Sequence, residues 1–155
     1  MPHLRAATEH DTQGLQRLVA EVYAEYDCTL DVERDEPHLI EPTTYFRGSG
    51  GELWVVDEEG FIRASGAVFL HPEAAELKTL YVHPALRRQG WGRRLISLAM
   101  EHARGSGRRQ MILWSDTRFL DAHRLYTSMG FRQTGRRELN DINKSVEYGF
   151  ETALM

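Results

Sequence analysis

Four arginines, Arg87, Arg88, Arg93 and Arg94, surround two glycines in the stretch HPALRRQGWGRRL, which runs from His83 to Leu95. A strand that passes through glycines straight into a helix leaves backbone N–H groups pointing outward, and the positive end of the helix dipole adds to them. That combination suits a phosphate. Glycine at 90 and 92 lets the backbone come close to such a ligand, and the guanidinium forks of Arg87, Arg88 and Arg93 match phosphate oxygens. Taken alone, the spacing Arg-x-x-Gly-x-Gly also describes an ordinary turn with solvated arginines. The third glycine of a dinucleotide-binding turn is missing, as is the Gly-Lys-Ser/Thr end of a nucleotide P-loop.

The chain that must position this loop has 155 residues, the size of one domain spanning 1–155. A single cysteine, Cys28, excludes an internal disulfide framework and fits a reducing compartment, so a cytoplasmic location is expected. The polar start MPHLRAATEHD has no apolar signal core, and no window is apolar enough for a membrane helix. The net charge of −4 and pI near 6.0 argue against a nucleic-acid partner. Basic residues gather at 87–94, 104–109 and 132–137, and acids crowd 25–41. The seven histidines include no HExxH or comparable ligand pair, so no metal is expected.

HLRAAT reads as a first strand, with Thr8 and Asp11 resembling a capping box. Leu15, Leu18, Val19, Val22 and Tyr26 then recur at helical spacing. Residues 27–47 carry Pro37 and Pro42 and give no clean period, which leaves a loop with one short helix around 38–46. ELWVVDEEGFIRASGAVFLHPEAAELKTLYVHP reads as an antiparallel meander of three strands with turns at DEEG and HPEA. GWGRRLISLAMEHARGSG is a helix with Trp91, Leu95, Leu98, Ala99 and His102 or Ala103 on one face, ending at Gly105. MILWSD is a strand, and TRFLDAHRLYTSMG a second helix with Thr117 as its N-cap and Gly130 as its stop. FRQTGRRELN and SVEYGFETAL close the chain as strands, and Trp54 and Trp114 are read as core.

With these neighbours the loop stops being an isolated pattern. AELKTLYVHPALRRQGWGRRLI resembles the signature of the GNAT superfamily of acyl-CoA N-acyltransferases. AHRLYTSMGFRQTG resembles that superfamily's next block, in the expected order and at the expected distance. The order of elements is similar to that fold along nearly the whole chain, least so between residues 27 and 50. The resemblance implies an α/β fold of α+β type, with a mixed, mostly antiparallel sheet of about six to seven strands flanked by helices. It implies acetyl-CoA as co-substrate, its pyrophosphate held by Arg87, Arg88, Gln89, Gly90, Trp91, Gly92 and Arg93. It further implies that the preceding strand bulges, freeing backbone groups of Leu80, Tyr81 and Val82 for the pantetheine arm and the thioester carbonyl.

Acyl transfer to an amine needs a neutral amine, a polarised carbonyl and a proton for the departing thiolate. The resemblance assigns the proton to Tyr126. A phenol with an ordinary pKa of about 10 can protonate a thiolate of about 8.5 only slightly uphill, which concerted transfer accommodates. Packing between helix and sheet is the alternative role for this ring. Glu76 matches the glutamate with which histone-type relatives deprotonate lysine, although Lys78, on the same strand face, offers it a simple ion pair. On the acceptor side stand Tyr26, Asp116 and His123. Asp116 orients an amine or caps the following helix, and His123 is an acid/base group or a bystander. Phe119 departs from the pattern, standing where relatives often carry an asparagine seven residues before the tyrosine.

The linker from the first helix to the meander carries Glu25, Asp27, Asp31, Glu33, Asp35, Glu36 and Glu41. As a negative rim it would draw a cationic acceptor, whether a small-molecule amine such as a polyamine or a protein or peptide amine; as a solvated face it would do nothing. Asn140, Asp141 and Tyr148 are placed to border the same pocket. A hydrophobic edge at the final strands is expected to permit a homodimer. The rival to an N-acetyltransferase is a non-catalytic acyl-CoA-binding or regulatory module that keeps the loop without the chemistry.

Overall fold

The structure, a computed structural model, describes residues 1–154. The strands are β1 (Pro2–Ala6), β2 (Glu52–Glu58), β3 (Phe61–Leu70), β4 (Ala75–Val82), β5 (Gln110–Asp116), β6 (Arg132–Glu138) and β7 (Val146–Ala153). They form one seven-stranded sheet in the order β1-β2-β3-β4-β5-β7-β6. Every neighbouring pair is antiparallel except β4 with β5. The helices are α1 (Thr12–Ala24), α2 (Val32–Asp35), α3 (Pro42–Gly48), α4 (Trp91–Gly105) and α5 (Leu120–Ser128).

Both faces of the sheet are covered, and β2 shows why its run of apolar residues is continuous. Successive strand side chains point to opposite faces. Leu53 and Val55 therefore pack with Leu15, Leu18 and Val19 of α1 and Phe46 of α3, whereas Val56 packs with Leu95 of α4. On the α4 side, Ile96, Ala99 and Met100 meet Met111 and Leu113 of β5 and Phe150 of β7. Each fully buried Leu or Ile contributes about 1.5–3 kcal/mol. The buried row of α4 is Leu95, Ile96, Ala99, Met100 and Ala103, rotated from the expected one so that Leu98 is only half-buried.

Several local expectations hold. Thr8 and Asp11 form the capping box, opening a 3-10 turn just before α1. Gly130, with φ of 96°, follows the end of α5. Others are corrected. Residues 27–47 hold α2, a 3-10 turn at Pro37–Leu39 and α3. Thr117 is not an N-cap: its N–H donates to the Val146 carbonyl at 2.9 Å and prolongs the β5–β7 pairing, and α5 begins three residues later with no side-chain cap. The final edge strand is polar, because β6 exposes Arg132, Gln133, Arg136, Arg137 and Glu138. Charges of this kind blunt an edge against pairing with another sheet, so the hydrophobic edge expected to favour a dimer is absent.

The feature that makes room for a site is a bulge in β4. Ser65 faces Tyr81 and Ala67 faces Lys78, so Gly66 alone opposes both Thr79 and Leu80. Thr79 takes φ of 55°, and its carbonyl accepts the buried Ser65 hydroxyl at 2.7 Å. A bulge bends its strand. β4 accordingly pairs with β5 only at Ala75–Met111 and Glu76–Ile112, while β5 stays paired with β7 as far as Asp116. From Leu77 onward the two parallel strands part into a wedge.

Candidate active site

At the end of β4 the chain turns through a 3-10 turn at Pro84–Leu86 into α4. Gly90 precedes the helix in the left-handed conformation, with no side chain capping the first turn. The first hydrogen bond of the helix runs from the Arg94 N–H to the Gly90 carbonyl at 3.1 Å. The N–H groups of Trp91, Gly92 and Arg93 consequently lack an intrahelical acceptor. Arg88, with φ of 63°, also turns the backbone left-handed, a conformation uncommon outside glycine and frequent where the backbone is shaped for a ligand. The buried indole Nε1 of Trp91 has no hydrogen-bond partner among the described residues. An uncapped, cationic helix start of this form fits a diphosphate.

The arginines divide their work. Arg87 donates through Nε to the Val82 carbonyl at 2.9 Å and through both other nitrogens to Glu25 at 2.8 and 2.6 Å. It ties the loop to the end of α1, and its charge is already met. Arg93 donates to the Ser128 hydroxyl at 3.0 Å, and Arg94 lies 4.6 Å over the Trp91 ring. Arg88 makes no side-chain hydrogen bond or ion pair among the described residues. Gly92 serves packing as much as ligand approach: a Cβ there would meet Leu125 Cδ2 of α5 at 2.9 Å.

The wedge leads into a cavity of about 120 Å³ lined by Leu77–Tyr81 of β4, Trp114–Asp116 of β5, Tyr126 of α5 and side chains of the α1–α3 segment and the β6–β7 loop. Tyr126 is 5% exposed and packs among His123, Phe131 and Phe150. Burial lifts its phenol well above the ordinary value, and a hydrogen bond with Ser115 opposes the rise. The Ser115 hydroxyl also lies 3.1 Å from His123 Nε2, and burial holds that imidazole below its usual value. At the bulge, Thr79 Oγ1 is buried and without a partner among the described residues.

On the opposite side the Tyr23 hydroxyl donates to Glu36 Oε1 at 2.5 Å and lies 3.4 Å from the Tyr81 hydroxyl. Burial raises the Glu36 carboxyl, and Tyr23 and Lys78 oppose that shift. Glu76 is held by His71 Nε2 at 2.8 Å and by Lys78 Nζ at 3.7 Å. Among the described residues no group of His, Cys, Asp or Glu is arranged to hold a metal ion, and no helix is long and apolar enough to cross a membrane.

Residues 49–133 match the family model described as an acetyltransferase (GNAT) domain. The chain belongs to the GNAT acetyltransferase family. It is 30% identical over 136 residues to YjgM of Escherichia coli, an uncharacterized N-acetyltransferase, a match covering 84% of this chain and 81% of that protein. Its fold is that of a Staphylococcus aureus Mu50 acetyltransferase of the GNAT family, with a TM-score of 0.88 at 17% identity over 100% of both chains. The Salmonella typhimurium protein yncA, solved with its cofactor acetyl-CoA, matches with a TM-score of 0.75 at 20% identity over 99% of this chain and 94% of that one.

In this GNAT acyltransferase the structure gathers Glu76, Leu80, Tyr81, Asp116 and Tyr126 around one cavity. Val82 sits just beyond, its carbonyl taken by Arg87. Asp116 does not cap α5, which has no side-chain cap; it accepts the Arg118 N–H at 2.8 Å and pairs with the Arg118 guanidinium at 3.1 Å. His123 is outside the cavity lining and touches it through Ser115 and the Tyr126 ring. Tyr26 is outside the cavity lining and packs edge-on against Phe119 at 4.9 Å. Trp114 is a cavity wall, not core, with Arg137 4.2 Å over its ring.

Sequence reasoning missed the side-chain network of Tyr23, Glu36 and Tyr81. The available signal was Tyr23 at the end of an apolar helical stripe, where a phenol buries its ring and seeks a polar partner.

Proposed function

We propose that this enzyme transfers the acetyl group of acetyl-CoA directly to a primary amine. The observation that carries this reading is the meeting of three features at one cavity: the backbone wedge beyond the β4 bulge, the buried Tyr126 phenol and a set of carboxylates. Acetyl-CoA supplies the thioester carbonyl and the thiolate that leaves. The uncapped start of α4 and Arg88 bind the diphosphate, and the backbone of Leu80 and Tyr81, beyond the last β4–β5 pair, orients the thioester. Tyr126 holds the proton destined for the sulfur. His123 positions that hydroxyl through Ser115, and Glu76 is the base expected from its place in β4. A shared cavity for a proton donor and carboxylates favours an enzyme over a binding module, which would need the loop alone.

The test is thiol release from acetyl-CoA across a panel of amines, read beside acetyl-CoA affinity. Amine-dependent release that falls in Tyr126→Phe supports the reading. Tight acetyl-CoA binding with no amine-dependent release would sink it in favour of the binding module.

A further inference from the structure

The cavity holds charges of both signs, and nearly all of them are either ion-paired or, like Asp141, held by two hydrogen bonds. Arg118 meets Asp116 at 3.1 Å, Arg137 meets Glu147 at 2.7 Å, and Glu76 is held by His71 and Lys78. Asp141 accepts the N–H and hydroxyl of Ser145 at 2.6 and 2.7 Å. Glu36 differs. Besides the Tyr23 hydroxyl its neighbour is His38 at 3.5 Å, an imidazole that burial holds down to about 4 and therefore neutral at pH 7. No cationic side chain comes within ion-pair distance of Glu36 among the described residues. A carboxylate withdrawn from water without a counter-ion is costly, and a cation brought by a ligand offsets that cost.

The segments flanking the cavity are also stitched to each other. Thr29 and Asn143 exchange two hydrogen bonds of 2.8 Å, main chain to side chain in both directions. The Ile142 N–H donates to Asp35 at 3.1 Å, and Arg118 spans Cys28 Sγ and the Asn143 carbonyl at 3.0 Å each. A polypeptide lying between residues 28–35 and the β6–β7 loop would have to break this strap. A compact molecule within a cavity of about 120 Å³ would not.

We infer that the acceptor is a small free amine, not a protein side chain or N-terminus, and that its ammonium docks on the Glu36 carboxylate and gives it a proton. The inference rests on the acetyl-transfer reading above and moves the role of base from Glu76 to Glu36. The ammonium passes one proton to Glu36, which later returns it to solvent. The freed lone pair forms the C–N bond as the C–S bond breaks, and the C–S electron pair stays on sulfur. Tyr126 protonates the sulfur, and the second proton lost by nitrogen restores the phenol through water. Glu36 is faced by Tyr23 of α1, Asp35 of α2, His38 of the adjoining turn, Lys78 and Tyr81 of β4, and Glu147 of β7. Only its ionised form can take the proton, so kcat/KM falls as pH drops through the Glu36 pKa.

The experiment measures thiol release from acetyl-CoA with putrescine, ethanolamine and alanine as compact acceptors, and with a lysine-containing peptide carrying a free N-terminus. A compact amine is expected to be used at least tenfold more efficiently than the peptide. Glu36→Gln, which keeps an acceptor for the Tyr23 hydroxyl, should raise the KM of that amine at least tenfold and abolish the acidic limb of kcat/KM, with acetyl-CoA affinity unchanged and a thermal midpoint no lower than that of the wild type. Tyr23→Phe removes a bond that lowers the Glu36 pKa and should move the limb to higher pH. Better use of the peptide, or a Glu36→Gln enzyme with wild-type KM and an intact limb, would overturn the inference while leaving acetyl transfer standing. Absence of release by the wild-type enzyme with every acceptor would instead overturn the reading beneath it.

Discussion

The guanidinium of Arg87 grips the carboxylate of Glu25 through two hydrogen bonds, joining the loop before α4 to the end of α1. Its third donor is spent on the Val82 carbonyl. Arg87 is thus a strut of the loop, whereas Arg88 makes neither a side-chain hydrogen bond nor an ion pair among the described residues. Arg88→Ala should weaken acetyl-CoA binding at least tenfold, with a smaller salt dependence, because a direct phosphate contact is lost. Glu25→Gln should weaken it less than about fivefold, since a half-exposed ion pair contributes about 0.2–1 kcal/mol. Calorimetric affinities at two salt concentrations distinguish the two roles.

Gly92 and Leu125 form a second coupling between loop and core. Gly92→Ala should destabilise the protein by about 1–3 kcal/mol through overpacking at the α4–α5 contact. It should also loosen acetyl-CoA, because the first turn of α4 must shift. Leu125→Ala removes the atom that a Cβ at position 92 would meet. The double variant should therefore be less destabilised than the sum of the single variants, as chemical denaturation of all four proteins would show.

Much of this was legible in the sequence, and the rest was hidden for identifiable reasons. The meander, the loop and the second motif are local patterns, and each maps onto elements or turns that follow one another along the chain. Local pattern also suggested the wrong start for α5, because Thr117 is an acceptable N-cap in isolation and only the sheet partner Val146 claims its N–H. The acidic stretch was legible as charge and illegible as chemistry. Glu25 belongs to Arg87, Asp31 caps α2, Asp35 receives the Ile142 N–H, and Glu36 alone turns to the Tyr23 phenol inside the cavity. Which acid does which depends on contacts between residues separated by as many as 107 positions.

Tyr126 should behave as a buried acid. Tyr126→Phe is expected to lower kcat by about 10²–10⁴, the range of general-acid catalysis, with little change in acetyl-CoA affinity. The phenol acts in its protonated form, so activity is lost only as pH rises through its pKa. Burial raises that pKa above the ordinary 10.0, so no basic limb from Tyr126 should be visible below pH 10. Ser115→Ala removes the bond that lowers it, moving any such limb further up. A basic limb near pH 8 that vanished in Tyr126→Phe would contradict this account of the site.

His38 links the acceptor cavity to stability. Its pKa is held down to about 4 in the folded protein, mainly by burial and secondarily by Lys78, against an ordinary 6.5. Between those values the unfolded chain binds more protons at this site than the folded one, so the stability that neutral His38 provides is complete above pH 6.5 and lost as pH falls towards 4. A difference of this size corresponds to about 3 kcal/mol at full extent. His38→Gln, which cannot titrate, should therefore flatten the decline of the thermal midpoint between pH 7 and pH 4.5 relative to wild type. Lys78→Met should raise the folded pKa of His38 and so make the decline smaller and end it at a higher pH, because the opposing charge is gone. Parallel midpoint curves for wild type and His38→Gln would show that the imbalance lies elsewhere.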